Sequence, residues 1–97
     1  MNTVSLLEEA GIFRMIAKCR RLEIQCKWFV FGSVMRGEYQ WSDIDILCLV
    51  EDLQAYEHVR AECDEYLLCA PIDLRILLAS DEHKLRFVER TSATVID

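Results

Sequence analysis

Hydrophobic positions along the chain change their spacing several times, and each change predicts a new element. Apolar residues at helical spacing predict a helix over residues 5–23. Ser5 with Glu8 three residues later is the pattern of a capping box at its start. Gly11 lies inside this helix and costs about 1 kcal/mol relative to alanine. The glycine therefore indicates either close packing or a bend at that point.

Apolar runs rich in β-branched and aromatic residues predict three strands, over residues 25–31, 42–50 and 72–79. Between the second and third strands, apolar residues at steps of three and four predict an amphipathic helix over 52–70. Pro71 ends that helix. Helices interleaved with strands predict an α/β (α+β) chain, with a small mixed sheet that has helices packed on one face.

Shorter signals complete the predicted order of elements. Residues 33–37 predict one or two helical turns, and residues 80–90 predict a short helix capped by Ser80 or Asp81. A short edge strand is predicted over residues 94–96. With 97 residues in all, residues 1–97 are expected to form one domain.

Three carboxylates occupy the start of two predicted strands. Asp43 and Asp45 are two residues apart, and the period of two in a strand puts them on the same face. Asp73 joins them if the apolar sets of both strands pack against the helices. Carboxylates that lie side by side repel each other unless a cation or a proton lies between them. Hard oxygen ligands of this kind suit Mg²⁺ shared with the phosphates of a nucleotide.

Gly32 and Ser33 form a corner directly after the apolar run of residues 28–31. Glycine allows a sharp turn there, and the serine hydroxyl can cap the helical turns that follow. Backbone N–H groups that remain free at the start of a helix attract phosphate.

The combined pattern resembles the signature of the minimal nucleotidyltransferase (MNT) family, in the nucleotidyltransferase superfamily related to DNA polymerase beta. That signature contains Gly-Ser, a further Gly, Ser-Asp-x-Asp and a third carboxylate on a later strand, and the resemblance covers roughly residues 25–90. The residues in register with it are Gly32, Ser33, Arg36, Gly37, Ser42, Asp43, Asp45 and Asp73.

This resemblance implies a nucleotidyltransferase core and the transfer of a nucleoside monophosphate, AMP from ATP or another NTP, to an acceptor hydroxyl. Two Mg²⁺ ions are implied. Asp43 and Asp45 would hold one against the triphosphate, and Asp73 would bind a second while it accepts or orients the acceptor's proton. The nucleotide-binding residues implied are Gly32, Ser33, Arg36, Gly37 and Ser42.

Minimal members of the family are often paired with a helical protein of the HEPN type, as its antitoxin or as the catalytic half of a two-chain enzyme. Apolar residues make up 53% of the chain, above the usual value of about 45–50%, which favours a buried interface in a homo- or hetero-oligomer. A net charge of −6 argues against binding to duplex nucleic acid and favours a basic protein partner.

Two other functions compete with this hypothesis. The chain could be a catalytically vestigial binding module that neutralises a helical toxin partner by complex formation. Alternatively, Asp43-Ile44-Asp45 could be the sugar-nucleotide motif of a glycosyltransferase, although those enzymes need a much larger nucleotide-binding domain.

Five cysteines without a C-x-x-C pair lie inside apolar runs, so we expect reduced core residues of a cytoplasmic protein and no zinc site. Neither secretion nor membrane spanning is expected, because the sequence shows no charged-then-apolar pattern of a signal peptide and no apolar run of roughly 18 residues or more. His58 and His83 are expected on exposed helix surfaces. Arg75 is expected to pair with Asp73 or its neighbours rather than to contact phosphate, and Trp41 to cover the core rather than stack on a base.

Overall fold

The computed structural model of the protein describes residues 3–32 and 43–96, which contain helices and strands in alternation. In chain order the elements are α1 (Thr3–Glu9), α2 (Ile12–Arg21), β1 (Cys26–Phe31), β2 (Ile44–Val50), α3 (Leu53–Cys69), β3 (Ile72–Leu78), α4 (Ala79–Leu85), α5 (Phe87–Thr91) and β4 (Thr94–Val95). The predicted α/β class is confirmed, and so are the four strands, each within two residues at both ends.

The sheet is mixed, with the strand order β3-β2-β1-β4. β1 is antiparallel to both β2 and β4, whereas β2 and β3 are parallel from the Ile44 and Ile72 pair to the Val50 and Leu78 pair. Parallel neighbours need a crossover connection, and α3 supplies it. Asp52 caps α3 by accepting a hydrogen bond from the Ala55 N–H at 2.9 Å.

One face of the sheet carries the main core and is covered by α1, α2 and α3. Alternate residues of each strand point into it, as the period of two predicts. The strand and helix residues at its centre include Ile44, Ile46, Cys48, Val50, Met15, Ile16, Val59 and Cys63. Leu53, at the start of α3, does not join them and is 67% exposed.

The second face carries a smaller cluster, in which Phe29, Phe31 and Leu47 are buried. Phe87 and Val88 of α5 pack against this cluster. Helices therefore cover the first face as predicted, and α5 in addition covers part of the second face.

The single helix predicted over residues 5–23 is wrong, because the chain forms two helices there. Gly11 has a φ of +81°, a left-handed conformation that glycine adopts readily and that interrupts a right-handed helix. The glycine therefore marks a bend, one of the two readings predicted. Ser5 lies inside α1, which begins at Thr3, so the predicted capping box is also wrong.

The helix predicted over residues 80–90 is likewise divided. Arg86 has a φ of +51° and separates α4 from α5. Ser80 and Asp81 are not caps, because α4 begins at Ala79 and Leu78 is its N-cap residue.

All five cysteines are free thiols. Cys19, Cys48 and Cys63 are buried as predicted, whereas Cys69 at the end of α3 is exposed, contrary to prediction. The sulfur atoms of Cys19 and Cys63 lie 4.0 Å apart between α2 and α3. A hydrogen bond with Cys19, together with burial, raises the pKa of the Cys63 thiol, so this thiol stays protonated at neutral pH.

His58 and His83 are exposed on helices, as predicted. None of the helices in residues 3–32 and 43–96 has the length and apolar character needed to cross a membrane.

Glu82 holds α5 in place. Its two carboxylate oxygens accept hydrogen bonds from the backbone N–H groups of Phe87 and Val88, each at 3.0 Å. These N–H groups lie at the start of a helix and have no partner within it. A carboxylate there accepts their hydrogen bonds and interacts favourably with the positive end of the helix dipole.

We expect Glu82→Ala to lower the free energy of unfolding by about 1–2 kcal/mol, because two N–H groups lose their acceptor. Urea unfolding followed by circular dichroism measures this loss. Glu57→Ala, at an exposed position of α3, is the matched control and should change the free energy by less than about 0.5 kcal/mol. Equal losses in the two variants would show that the cap does not stabilise α5.

Candidate active site

Asp45 and Asp73 are directly paired across neighbouring strands. The parallel register of β2 and β3 places them at the same level, and both are partly exposed. Their strand positions belong to the second face, which also carries Leu47. Because neighbouring strands lie about 4.8 Å apart, two carboxylates at paired positions on one face are close neighbours. This juxtaposition creates a place where a cation is favoured.

Gly32 lies against Asp45 at the end of β1. Phe31, the residue before it, pairs with Asp45 in the antiparallel register of β1 and β2. Gly32 has a φ of +76°, the left-handed conformation that a sharp corner requires. A Cβ atom at Gly32 would lie 3.0 Å from Cγ of Asp45 and 3.3 Å from its Cβ, with Oδ2 closer still. Glycine is therefore needed both for the turn and for the space that the carboxylate occupies.

Asp43 lies one residue before β2 and is exposed. Within the described parts of the chain, no three His, Cys, Asp or Glu side chains are grouped so that they could hold a metal ion. The geometry thus brings together Asp45, Asp73 and Gly32, while the role of Asp43 stays a prediction.

Several predictions concern residues that the structure does not describe. They are the nucleotide-binding roles of Ser33, Arg36, Gly37 and Ser42, the position of Trp41, and the helical turns over residues 33–37. These stay predictions, and Gly32 is the residue of the predicted Gly-Ser corner that the structure describes.

Arg75 pairs neither with Asp73 nor with another described carboxylate, contrary to prediction. Within the described residues it forms no ion pair, and its guanidinium carbon lies 5.9 Å from the centre of the Phe87 ring instead. The position of α5 explains the difference, because this helix brings an aromatic ring to the arginine, and a cation is attracted to the face of such a ring.

Phe87 is a supporting residue that the sequence analysis missed. Its ring meets that of Phe31 edge to face, with the centroids 5.0 Å apart and the planes at 90°. Since Phe31 precedes Gly32 and pairs with Asp45, α5 stabilises the end of β1 where the corner begins. The adjacent apolar pair Phe87 and Val88, late in the chain, is the sequence signal for this contact.

A cavity of about 570 Å³ lies at the other end of the second face, between β2 and the α4 and α5 helices. Its walls include Leu49, Val88 and Glu82. Leu49 is four residues along β2 from Asp45, or about 13 Å in a strand. This cavity is therefore separate from the paired carboxylates.

Comparison with known families identifies most of the chain. The family model described as nucleotidyltransferase domain matches residues 14–93. This match contains β1, β2 and β3, the corner at Gly32, and the paired residues Asp45 and Asp73. None of the curated proteins compared with the chain matches it.

We expect Gly32→Ala to lower the free energy of unfolding by more than the approximately 1–2 kcal/mol that a left-handed alanine costs, because its methyl group also displaces the Asp45 carboxylate. Asp45→Ala removes that obstacle, so the loss caused by Gly32→Ala should be smaller in this background. A double-mutant cycle from urea unfolding measures the difference, which we expect to be about 0.5–3 kcal/mol.

Gly11→Ala is the matched control, because Gly11 has nearly the same φ and its nearest neighbour is the flexible end of the Arg14 side chain at 3.4 Å. Its cost should be the same with and without Asp45→Ala. If Gly32→Ala also costs the same in both backgrounds, the proposed contact with the carboxylate is wrong.

Proposed function

The chain belongs to the nucleotidyltransferase domain family, and from this membership we propose that it transfers AMP from ATP to a hydroxyl group of an acceptor. In this reaction the acceptor oxygen attacks the α-phosphorus of ATP, the hydroxyl proton is lost, and pyrophosphate leaves. The observation that carries the proposal is the pairing of Asp45 with Asp73 on one face, beside the glycine corner.

The residues present fit Mg²⁺. This ion is commonly held by one or two carboxylates, with water and substrate phosphates completing its shell. Asp45 and Asp73 supply such a carboxylate pair, and Asp43 would add a third ligand. When bound with ATP, one or two Mg²⁺ ions would neutralise charge on the phosphates.

The side chains and backbone of the site have separate tasks in this proposal. Asp73, on the strand farther from the corner, would accept or orient the proton of the acceptor hydroxyl. The Gly32 corner would bind phosphate through backbone N–H groups, together with Ser33, Arg36, Gly37 and Ser42. Positioning and charge neutralisation of this kind are what phosphoryl-type transfer mainly requires.

A helical protein of the HEPN type is the partner that we propose, either as the acceptor or as the other half of a two-chain enzyme. The apolar content of 53% and the net charge of −6 support an interface with a basic protein. Exposed Leu53 and Leu68 on α3, at 67% and 87%, offer apolar surface for it. The five free thiols support the cytoplasm as the compartment.

The second candidate is a binding module that neutralises its partner by masking it, without catalysis. The observation in its favour is that residues 3–32 and 43–96 hold no three-ligand group suited to a metal ion.

We expect Asp45→Asn and Asp73→Asn each to reduce AMP transfer by at least about a hundredfold, because a neutral amide holds Mg²⁺ far less well than a carboxylate. Asp43→Asn should act in the same direction. Transfer is measured with α-labelled ATP, and circular dichroism verifies that the variants fold. Asp64→Asn, an exposed position on α3, is the control and should retain full activity. Full activity in Asp45→Asn would count heavily against the enzyme.

Mixing the chain with its candidate partner separates the two functions. The candidate is a small all-helical protein encoded in the adjacent reading frame, and the mixture contains Mg²⁺ and α-labelled ATP. Label that appears on the partner supports catalysis. Inhibition of the partner without label, unchanged in Asp45→Asn, supports the masking module instead.

A further inference from the structure

Arg75 lies beside the paired carboxylates on the second face. It is two residues after Asp73 on β3, about 7 Å along the strand, and pairs with Leu47 in the parallel register. Its side chain is on the same face as Asp73, because its guanidinium group lies over Phe87 of α5. The chain thus places a cation next to Asp73 on the second face, beside the proposed catalytic pair.

The guanidinium group of Arg75 is available to bind an anion. It is exposed, and it forms no ion pair within the described residues. The Phe87 ring lies 5.9 Å from its central carbon, and Phe87 is itself held by Phe31 and by the Glu82 cap. A guanidinium group has five N–H donors, and pairs of them bind a carboxylate or phosphate in a bidentate manner.

The order of the strands assigns Arg75 to the acceptor. Across the sheet, Gly32 at the end of β1 is followed by Asp45 on β2 and by Asp73 on β3. The phosphates of the donor would bind at the Gly32 corner, on the β1 side of the pair. Arg75 lies on β3, at the edge of the sheet formed by the described strands. It is level with Leu47, two residues beyond the carboxylates in the direction away from Gly32.

We propose that Arg75 binds a carboxylate of a protein acceptor, so that the chain selects a hydroxyl residue with an Asp or Glu close to it in sequence. This inference rests on the proposed function and adds the chemical class of its acceptor. A bidentate Arg–carboxylate pair fixes orientation as well as affinity, and would hold the neighbouring hydroxyl near Asp73.

A protein acceptor fits the charge of the chain better than a nucleic acid does, because a protein can be basic overall and still carry one carboxylate beside the hydroxyl. The chain carries 17 acidic and 11 basic residues, whereas binding to a phosphate backbone requires many cations along one surface. A single arginine beside the carboxylates suits one acidic side chain.

Peptide binding tests the inference without requiring turnover. The probes are fluorescein-labelled peptides with one tyrosine, flanked on both sides by Asp, Asn or Lys. Binding is measured by fluorescence anisotropy with Mg²⁺ and α,β-methylene ATP, which cannot transfer AMP. We expect the Asp peptide to bind about tenfold more tightly than the Lys peptide.

Two substitutions at Arg75 sharpen the test. Arg75→Glu should reverse the preference in favour of the Lys peptide, and Arg75→Lys should keep the preference for Asp but weaken it. Arg60→Glu makes the same change of charge at an exposed position of α3, so it should keep the wild-type preference. Affinity for the ATP analogue alone should change by less than about twofold in Arg75→Glu, and circular dichroism verifies folding.

Several results would overturn the inference. These are equal binding of the three peptides, a preference that survives Arg75→Glu, or a short RNA that binds more tightly than the Asp peptide. A loss of affinity for the ATP analogue in Arg75→Glu would assign Arg75 to the donor instead. Transfer of label from ATP is a separate measurement: its absence, with the peptide preference intact, would contradict the proposed function and not the anion site.

Discussion

The parallel pairing of β2 with β3 is the constraint on which the rest of the structure depends. Side chains alternate between the faces of a sheet, so a slip of one residue would turn Asp73 toward the apolar core and Ile72 away from it. Such a slip is prevented because Ile72, Leu74 and Ile76 pack into the main core. The ladder begins with the Ile44 N–H donating to the Pro71 carbonyl at 2.7 Å, directly after α3 has returned the chain. Core packing and carboxylate pairing are thus consequences of one register.

The second face shows how a small domain supports a polar site without burying it. Leu47 and Phe31 form an apolar base beside Asp45, and α5 covers that base with Phe87. The carboxylates themselves remain partly exposed, so they avoid the large cost of burying a charge. A cation bound between two neighbouring carboxylates would relieve their repulsion.

Much of the fold could be predicted from local pattern. The strands, the crossover helix and the faces of β2 and β3 follow from a period of two, a period of 3.6 and the position of Pro71. Helix breaks were harder, because the left-handed conformation of Arg86 has no local signal, while Gly11 indicated a bend without deciding it. Caps depend on the exact first residue of a helix. Ser5 follows the first residue of α1 by two positions, and Ser80 follows that of α4 by one, which is too little for the pattern to decide.

The site could be predicted in part. The motif identified Asp45 and Asp73, and their pairing follows once β2 and β3 are neighbours in the observed parallel register. The contact between Gly32 and Asp45 depends on the register of β1 with β2, which the length of the connection does not specify. The charge pattern along β3 predicts that Arg75 pairs with Asp73 or its neighbours. Its contact with Phe87 comes from a helix more than ten residues later, which local patterns do not reveal.

The exposed thiol of Cys69 affects how the assembly of this protein should be studied. The other four cysteines are buried or partly buried, so Cys69 at the end of α3 is the thiol most open to oxidants and to other molecules. In an aerated buffer, two copies could be joined there by an intermolecular disulfide and would migrate as a dimer in gel filtration. Mass measurements of the native assembly therefore need a reducing agent, or serine in place of this cysteine.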